Sequence, residues 1–357
     1  MRQPCTGTRP NGGGTAPVPA PVITGIGSWL PPAVLTNDVL AKRVGTSAEW
    51  LNSRTGISSR HVASPGTATV ALAVEAGRRA MESAGTDRVD AVLVATVTPD
   101  RICPPCAPEV AARLGQPRIA AFDVGAACSG FLYGLAVAGG LIAARTVRRV
   151  LVIGAETMTS IVDPRDPGTS AIFADGAGAA VLRAGEPDEP GAVGPVILGS
   201  DGSCADLIAV PAGGSRLPLS NDPDGDGGGR YLSMSGPDVF RKAVSRMAAV
   251  SRAAAEARGW ELEDVDRVVA HQANAHILAA VARKLGVPPG RMAANIAEVG
   301  NTSAASVPIL LAQDAAYGRT KPGDRVLATA FGAGLTWAAT TLVWPELPRI
   351  PEPATPL

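Results

Sequence analysis

Two distant segments repeat one order of features: VEAGRRAMESAGTDRVDAVLVATVTPD at 74–100 and VSRAAAEARGWELEDVDRVVAHQAN at 250–274. Each runs from an Ala/Arg stretch of helical period through a Gly-containing stop and an acidic spacer to a VD-x-V strand that ends in a polar loop. A duplicated helix–strand unit restricts the fold strongly, because two similar halves must bury similar apolar faces. The competing explanation is chance likeness between Ala-rich helices, since helix–strand units recur in unrelated proteins. Further apolar runs, RRVLVIGAE at 148–156 and DRVLATAF at 324–331, are flanked by Ala-rich helical segments. That alternation predicts an α/β layering with buried strands.

The Gly/Pro-rich LRAGEPDEPGAVGP at 182–195 marks the seam. It divides the chain into an N-terminal half, 21–190, and a C-terminal half, 191–346. Residues 1–20 and 347–357, rich in Pro and Gly and without a periodic apolar face, are expected to be disordered tails. SNDPDGDGGGR at 220–230 reads as a long polar loop.

Composition bounds the function. With 46% hydrophobic and 18% charged residues in 357, the chain can build a sizeable core. Lys and Arg total 32, as do Asp and Glu, so no global basic field points to nucleic acid or an anionic membrane surface. A polyanionic partner has to be met by a local patch. No apolar run reaches the ~18 residues of a membrane span, and the first twenty residues lack the apolar region of a signal peptide. A soluble, cytoplasmic protein is the expectation. Five cysteines at irregular spacing do not form a disulfide framework, so each thiol is judged by its surroundings.

Cys128 stands out, in DVGAACSGFLYGL at 123–135. It falls where the strand-like RIAAFDV gives way to an apolar helix, SGFLYGLAVAGGLIAA. A thiol at a helix N-terminus meets the positive end of the dipole and free N–H groups, which favours the thiolate and can hold an oxyanion. Its small neighbours Gly125, Ala126, Ala127 and Ser129 leave room for an acyl group. A buried structural thiol remains the alternative. A nucleophilic cysteine needs a partner, and the chain has three histidines: His61, His271 and His276. His271 ends the second VD-x-V strand, at the sheet edge where catalytic groups collect, and His276 falls on the following helix. In EVGNTSAASVPILLA at 298–312, Asn301, Thr302 and Ser303 open another helix. One of them is an N-cap, and Asn301 can project a side-chain donor if Thr302 or Ser303 supplies the cap. Cys103 and Cys106 form a CxxC with prolines between and no second pair, which is poor support for redox or zinc chemistry, and no metal is expected.

Taken in order, EWLNSRTGISSRH, DVGAACSGF, DPRDPGTSAIFADGAGAAVL, SDGS, HQANAHIL, GNTSAASVP and FGAGLTW resemble the β-ketoacyl-acyl-carrier-protein synthase III family of the thiolase superfamily over about residues 22–345. The resemblance implies a five-layered α/β/α/β/α fold of two duplicated halves, usually a homodimer. It makes Cys128, His271 and Asn301 a catalytic triad. Cys128 would take an acyl group from a coenzyme A thioester; a malonyl-carrier thioester would then lose carbon dioxide beside His271 and Asn301, and its carbanion would attack the acyl group. The backbone N–H groups of Cys128 and Ala333 would hold the oxyanion. No cofactor is implied beyond these substrates. Type III polyketide synthases share the triad but not HQAN and GNTSAAS, and thiolases want a second catalytic cysteine late in the chain, where none follows Cys204.

By the same resemblance Trp50, Arg54 and Asn274 would hold coenzyme A and its pantetheine, and Arg241, Arg283, Lys284 and His276 would dock the acyl carrier protein. Departures also matter. Pro167 stands where the family usually has an Arg that sandwiches the adenine, and His276 replaces a carrier-docking Arg. Cys103 aligns with a residue, often aromatic, that reaches across the dimer into the partner's acyl pocket, so a starter larger than acetyl is expected. These departures favour polyketide or other specialised biosynthesis. Two further readings stay open: an acyltransferase of the same fold that moves an acyl group to an alcohol or amine, and a non-catalytic partner that shapes chain length.

Overall fold

The structure, a computed structural model, describes residues 18–219 and 228–350. Residues 1–17 and 351–357 of the expected tails, and 220–227 of the expected loop, lie outside the described residues. The N-terminal half opens with strand β1 (Ala20–Trp29), so the last residue of the expected first tail is already in the sheet. A small hairpin of β2 (Val34–Thr36) and β3 (Ser59–His61) then encloses helices α1 (Asn37–Val44) and α2 (Ala48–Thr55). Next come α3 (Thr69–Ser83), β4 (Ala91–Ala95), α4 (Cys106–Arg113), β5 (Ala120–Val124), α5 (Gly130–Ala143) and β6 (Arg149–Thr157). A single turn, α6 (Pro167–Ser170), precedes β7 (Asp175–Gly185). The sheet order is β1-β7-β6-β4-β5, with β5 and β6 parallel to β4 and the other pairs antiparallel.

The second half contains β8 (Ile197–Ser200), a short pair β9 (Ile208–Ala209) and β10 (Ser233–Met234), α7 (Gly236–Ala257), β11 (Arg267–Ala270) and α8 (Ala275–Leu285). It ends with α9 (Ile296–Val299), α10 (Ser306–Ala316), β12 (Arg325–Gly332) and β13 (Thr336–Val343). Its sheet order, β11-β12-β13-β8, reproduces β4-β6-β7-β1 in polarity as well as order. Where the first half has β5, the second has one parallel bridge, Val268 to Met292. The repeated segments are α3–β4 and α7–β11, at equivalent places in the two sheets.

Helices α3 and α4 cover the outer face of the first sheet, and α7 and α8 that of the second. Between the sheets lie α5 and α10, whose Phe131, Leu135, Ile142, Leu310 and Leu311 join residues of both sheets in one core. An apolar helix hidden between two sheets needs no polar face, which explains the density of SGFLYGLAVAGGLIAA. The result is the expected α/β/α/β/α thiolase-type fold. Among the described residues no helix is long and apolar enough to cross a membrane.

Glycines set the contact between halves. A Cβ on Gly154 of β6 would lie 2.4 Å from the Ala304 carbonyl oxygen, and one on Gly178 of β7 would lie 2.6 Å from the Ile309 nitrogen. Without side chains there, the start of α10 rests directly on the first sheet. Asn301 is pinned to that half as well: its N–H donates to Ile172 O (3.0 Å) and its carbonyl accepts from Ala174 N–H (2.9 Å).

Candidate active site

Strand β5 delivers the chain to a 3-10 turn, Ala127–Ser129, immediately before α5. Ala127 has a φ of 45°, in the left-handed region that few non-glycine residues adopt. Ties to the second half hold the turn: Ser129 Oγ donates to Thr336 O (3.2 Å), and Thr336 Oγ1 donates to Ala126 O (2.9 Å). A Cβ on Gly332 would sit 2.6 Å from the Cys128 nitrogen, so the end of β12 lies against the nucleophile's own backbone. Ala333 is the next residue and lines the same cavity.

His271 follows β11 and is buried. Ser306 Oγ lies 2.6 Å from its Nδ1 and also accepts the Gln272 N–H (3.4 Å). With Nδ1 held by Ser306, Nε2 is the ring nitrogen without a hydrogen-bond partner among the described residues, in a ring that lines the cavity. Burial pulls the imidazole down to about 3, so the ring is neutral. Gln272, fully buried, donates to Ala270 O (2.9 Å) and accepts the N–H groups of Asn295 and Ile296 (3.1 and 3.2 Å). It thereby fixes α9, and through α9 the approach to Asn301.

Asn301 Oδ1 accepts the Ser303 N–H (2.9 Å), and Nδ2 donates to Ala273 O (3.4 Å). The second Nδ2 hydrogen is left for the cavity that Asn301 lines. Asn301 thus makes the local turn bond itself and still presents a donor; Thr302 and Ser303 do not supply a side-chain cap, contrary to the expectation. Ser303, with a φ of 49°, donates from Oγ to Glu156 Oε1 (3.0 Å).

The thiol departs from the sequence-based expectation. Burial pushes Cys128 up to about 12, the nearby charge of Glu156 adds to the rise, and the bond from Ser303 opposes it. The sulfur is not closed off, because Cys128 is only half-buried and lines the cavity. Glu156, at the end of β6, is fully buried and raised by that burial. Neither Glu156 nor Ser306 was singled out from sequence. The one available signal was an acidic residue closing the apolar run RRVLVIGAE.

Cys128, His271 and Asn301 line one cavity of about 1070 Å³ with an apolar wall that includes Met158, Ile161, Phe240 and Met247. Trp50, Arg54, Asn274 and His276 also line it. Trp50 is 41% exposed, with the Arg54 guanidinium 5.5 Å from its ring centroid. Asn274 and His276 are drawn into element docking. Asn274 caps α8 through the His276 N–H (2.8 Å) and donates to Arg54 O (3.2 Å), and the His276 ring bonds Ser53 O (2.9 Å). Gly56, with a φ of 70°, lets α2 close onto Ala275, since a Cβ there would lie 2.3 Å from the alanine's. Arg241 on α7, ion-paired with Asp238, and Arg283 and Lys284 in the last turn of α8 are exposed outside the cavity wall. Cys103, exposed in the loop before α4, does not border it. A separate cavity of about 900 Å³, bordered by Val18, Pro187 and Trp260, contains none of these residues.

Comparison with known proteins gives the same reading. Residues 122–202 match the family model for 3-oxoacyl-[acyl-carrier-protein (ACP)] synthase III, and residues 255–344 match its C-terminal model. A β-ketoacyl-[acyl-carrier-protein] synthase III from Streptomyces coelicolor is 55% identical over 92% of this chain and 98% of its own length. Its namesake from Pseudomonas aeruginosa is 47% identical over the same shares. The crystal structure of a 3-oxoacyl-(acyl carrier protein) synthase III from Pseudomonas aeruginosa superposes with a TM-score of 0.87, at 45% identity, over 92% of this chain and all of that one. A priming β-ketosynthase of a polyketide biosynthetic pathway superposes with a TM-score of 0.86 at 35% identity, over 94% of this chain and all of that one. The chain belongs to the 3-oxoacyl-[acyl-carrier-protein] synthase III family and is an acyltransferase of the condensing type, forming carbon–carbon bonds by Claisen condensation.

Proposed function

We propose that this enzyme transfers an acyl group from coenzyme A to Cys128 and condenses it with a malonyl group on acyl carrier protein, priming a polyketide or fatty-acid-like chain. The observation that carries the reading is the convergence on one cavity of a thiol from one half with a neutral His271 imidazole and a fixed Asn301 amide donor from the other. In the first step Cys128 Sγ bonds the thioester carbonyl and the coenzyme A thiolate leaves. In the second, the malonyl carboxylate leaves as carbon dioxide. The enolate oxygen accepts from His271 Nε2–H and Asn301 Nδ2–H, and the enolate carbon attacks the acyl-Cys128 carbonyl. The N–H groups of Cys128 and Ala333 hold the resulting oxyanion, and Sγ is expelled.

Trp50 and Arg54 at the cavity mouth are assigned to coenzyme A, with Asn274 along the pantetheine. The exposed cations Arg241, Arg283 and Lys284, with His276, are assigned to the acidic carrier protein. A homodimer is supported by the edge strand β5, which leaves Phe122 37% exposed, and by Ile102 of the β4–α4 connection, 90% exposed. Free thiols at Cys103, Cys106, Cys128 and Cys204 support a reducing, cytoplasmic location.

Intact-protein mass spectrometry tests the reading. Wild type and Cys128→Ala are incubated with a panel of acyl-coenzyme A thioesters, and malonyl carrier protein is then added. A Cys128-dependent adduct that disappears as β-ketoacyl carrier forms is expected, with starters larger than acetyl loading best. An adduct that persists with malonyl carrier and discharges to an alcohol or amine would instead identify simple acyl transfer.

A further inference from the structure

The carboxamide of Asn301 is tethered at both ends, but unequally: the Ser303 N–H reaches Oδ1 at 2.9 Å, whereas Nδ2 reaches Ala273 O only at 3.4 Å. The shorter tether comes from a residue in an uncommon conformation. Ser303 has a φ of 49°, which a serine keeps only where its surroundings impose it. Two residues of β6 supply those surroundings. Gly154 and Glu156 are two positions apart and so share one face of the strand. Gly154 has no Cβ to hold off Ala304 and Ala305, and Glu156 Oε1 accepts the Ser303 hydroxyl (3.0 Å).

The carboxyl of Glu156 is itself fixed. It is fully buried, and its Oε2 accepts Thr96 Oγ1 (3.1 Å), the Val97 N–H (3.0 Å) and Thr98 Oγ1 (2.6 Å) from the segment that follows β4. Three bonds thus hold Glu156 to the N-terminal half. Among the described residues its one hydrogen bond to the C-terminal half is the one to Ser303.

We propose that Glu156 is a positioning residue for condensation: by holding the Ser303 hydroxyl it sets the Ser303 N–H, and through it the Asn301 carboxamide, at the angle that presents the second Nδ2 hydrogen to the enolate oxygen. Glu156 touches no reacting atom and exchanges no proton in this role. It registers an amide of the C-terminal half against the half that carries Cys128. Loading of the thiol has no such need, because the oxyanion of that step is held by the N–H groups of Cys128 and Ala333.

The inference rests on the role of Asn301 proposed above, and single-turnover assays of the two half-reactions test it. Loading from acyl-coenzyme A is followed by rapid quench, and carbon dioxide release is followed from malonyl carrier protein. Ser303→Ala, which keeps the backbone N–H and loses the hydroxyl, is expected to slow release about tenfold or more and loading by no more than about twofold. Glu156→Met cuts the same link from the other end and should do the same. Glu156→Gln keeps it, since the amide oxygen takes the three bonds now made to Oε2 and the amide N–H donates to Ser303 Oγ, so both rates should stay within about threefold of wild type. In an Asn301→Ala background Ser303→Ala should slow release no further, because the amide it orients is gone. A full tenfold loss in that background, equal slowing of loading and release by Ser303→Ala, or a folded Glu156→Gln as slow as Ser303→Ala overturns the positioning role. A wild type that loads acyl groups but releases no carbon dioxide from malonyl carrier overturns the condensation reading, and the inference with it.

Discussion

At His271 a single hydroxyl orients the ring, because Ser306 Oγ lies 2.6 Å from Nδ1 and leaves Nε2 for the cavity. Ser306→Ala leaves Nδ1 of a buried ring without its partner, a loss of about 1–3 kcal/mol, and removes the contact that orients Nε2 toward the cavity. Malonyl decarboxylation is expected to fall about tenfold or more, while transfer of the acyl group to Cys128 stays within about twofold. Single-turnover measurement of the two half-reactions checks this. The same ring also affects stability. Its pKa is about 3 when folded and near 6.5 when unfolded, so its contribution is complete above about 6.5 and is lost as pH falls toward 3, where the unfolded chain binds the extra proton. His271→Gln should flatten that part of the curve of urea midpoint against pH; an unchanged slope would mean the ring is not held neutral. Cys128, His271 and Asn301 stood out as polar residues at the start or end of elements, their grouping as a triad came from the family resemblance, and the structure brings all three to one cavity. Glu156 and Ser306 did not stand out, since their partners Ser303 and His271 stand 147 and 35 positions away in the chain.

Between elements, close backbone contact does much of the positioning. Gly154 and Gly178 let the start of α10 press on the first sheet, which carries Ser303, Asn301 and Ser306 to the thiol from the other half of the chain. A methyl at Gly154 meets the Ala304 carbonyl oxygen at 2.4 Å, and backbone cannot swing aside as a flexible side chain can. Gly154→Ala is expected to cost about 1–3 kcal/mol in urea unfolding. Condensation should slow more than acylation, because the displaced segment carries Asn301. Equal slowing of both steps would place the disturbance at Cys128 instead. Strand and helix alternation, and the duplication itself, could be read from periodicity and from the two VD-x-V segments. The fine joints could not. Asn274 and His276, read as substrate-facing and carrier-facing groups, line the cavity and also clasp α8 to α2 through their hydrogen bonds, a joint that has no mark in the sequence.

For the whole molecule the open question is what covers β5. It closes one end of the first sheet with unpaired backbone groups, and Phe122 on it, with Val97 and Ile102 nearby in the β4–α4 connection, presents apolar surface. An uncovered apolar edge invites a second copy, and a twofold axis through β5 satisfies both edges at once. Phe122→Asp places a charge at that contact and is expected to yield monomers in sedimentation analysis where wild type sediments as a dimer. The same assembly gives Cys103 its meaning. In one protomer it lies outside the cavity and is exposed, so it can restrict the acyl chain only from the partner's side. Cys103→Phe, which adds bulk at that position, is then expected to shift loading toward acetyl in the dimer. In a Phe122→Asp monomer the same substitution should leave starter preference unchanged. A shift of equal size in the monomer would show that the residue acts within its own chain and would remove the partner from the account of starter size.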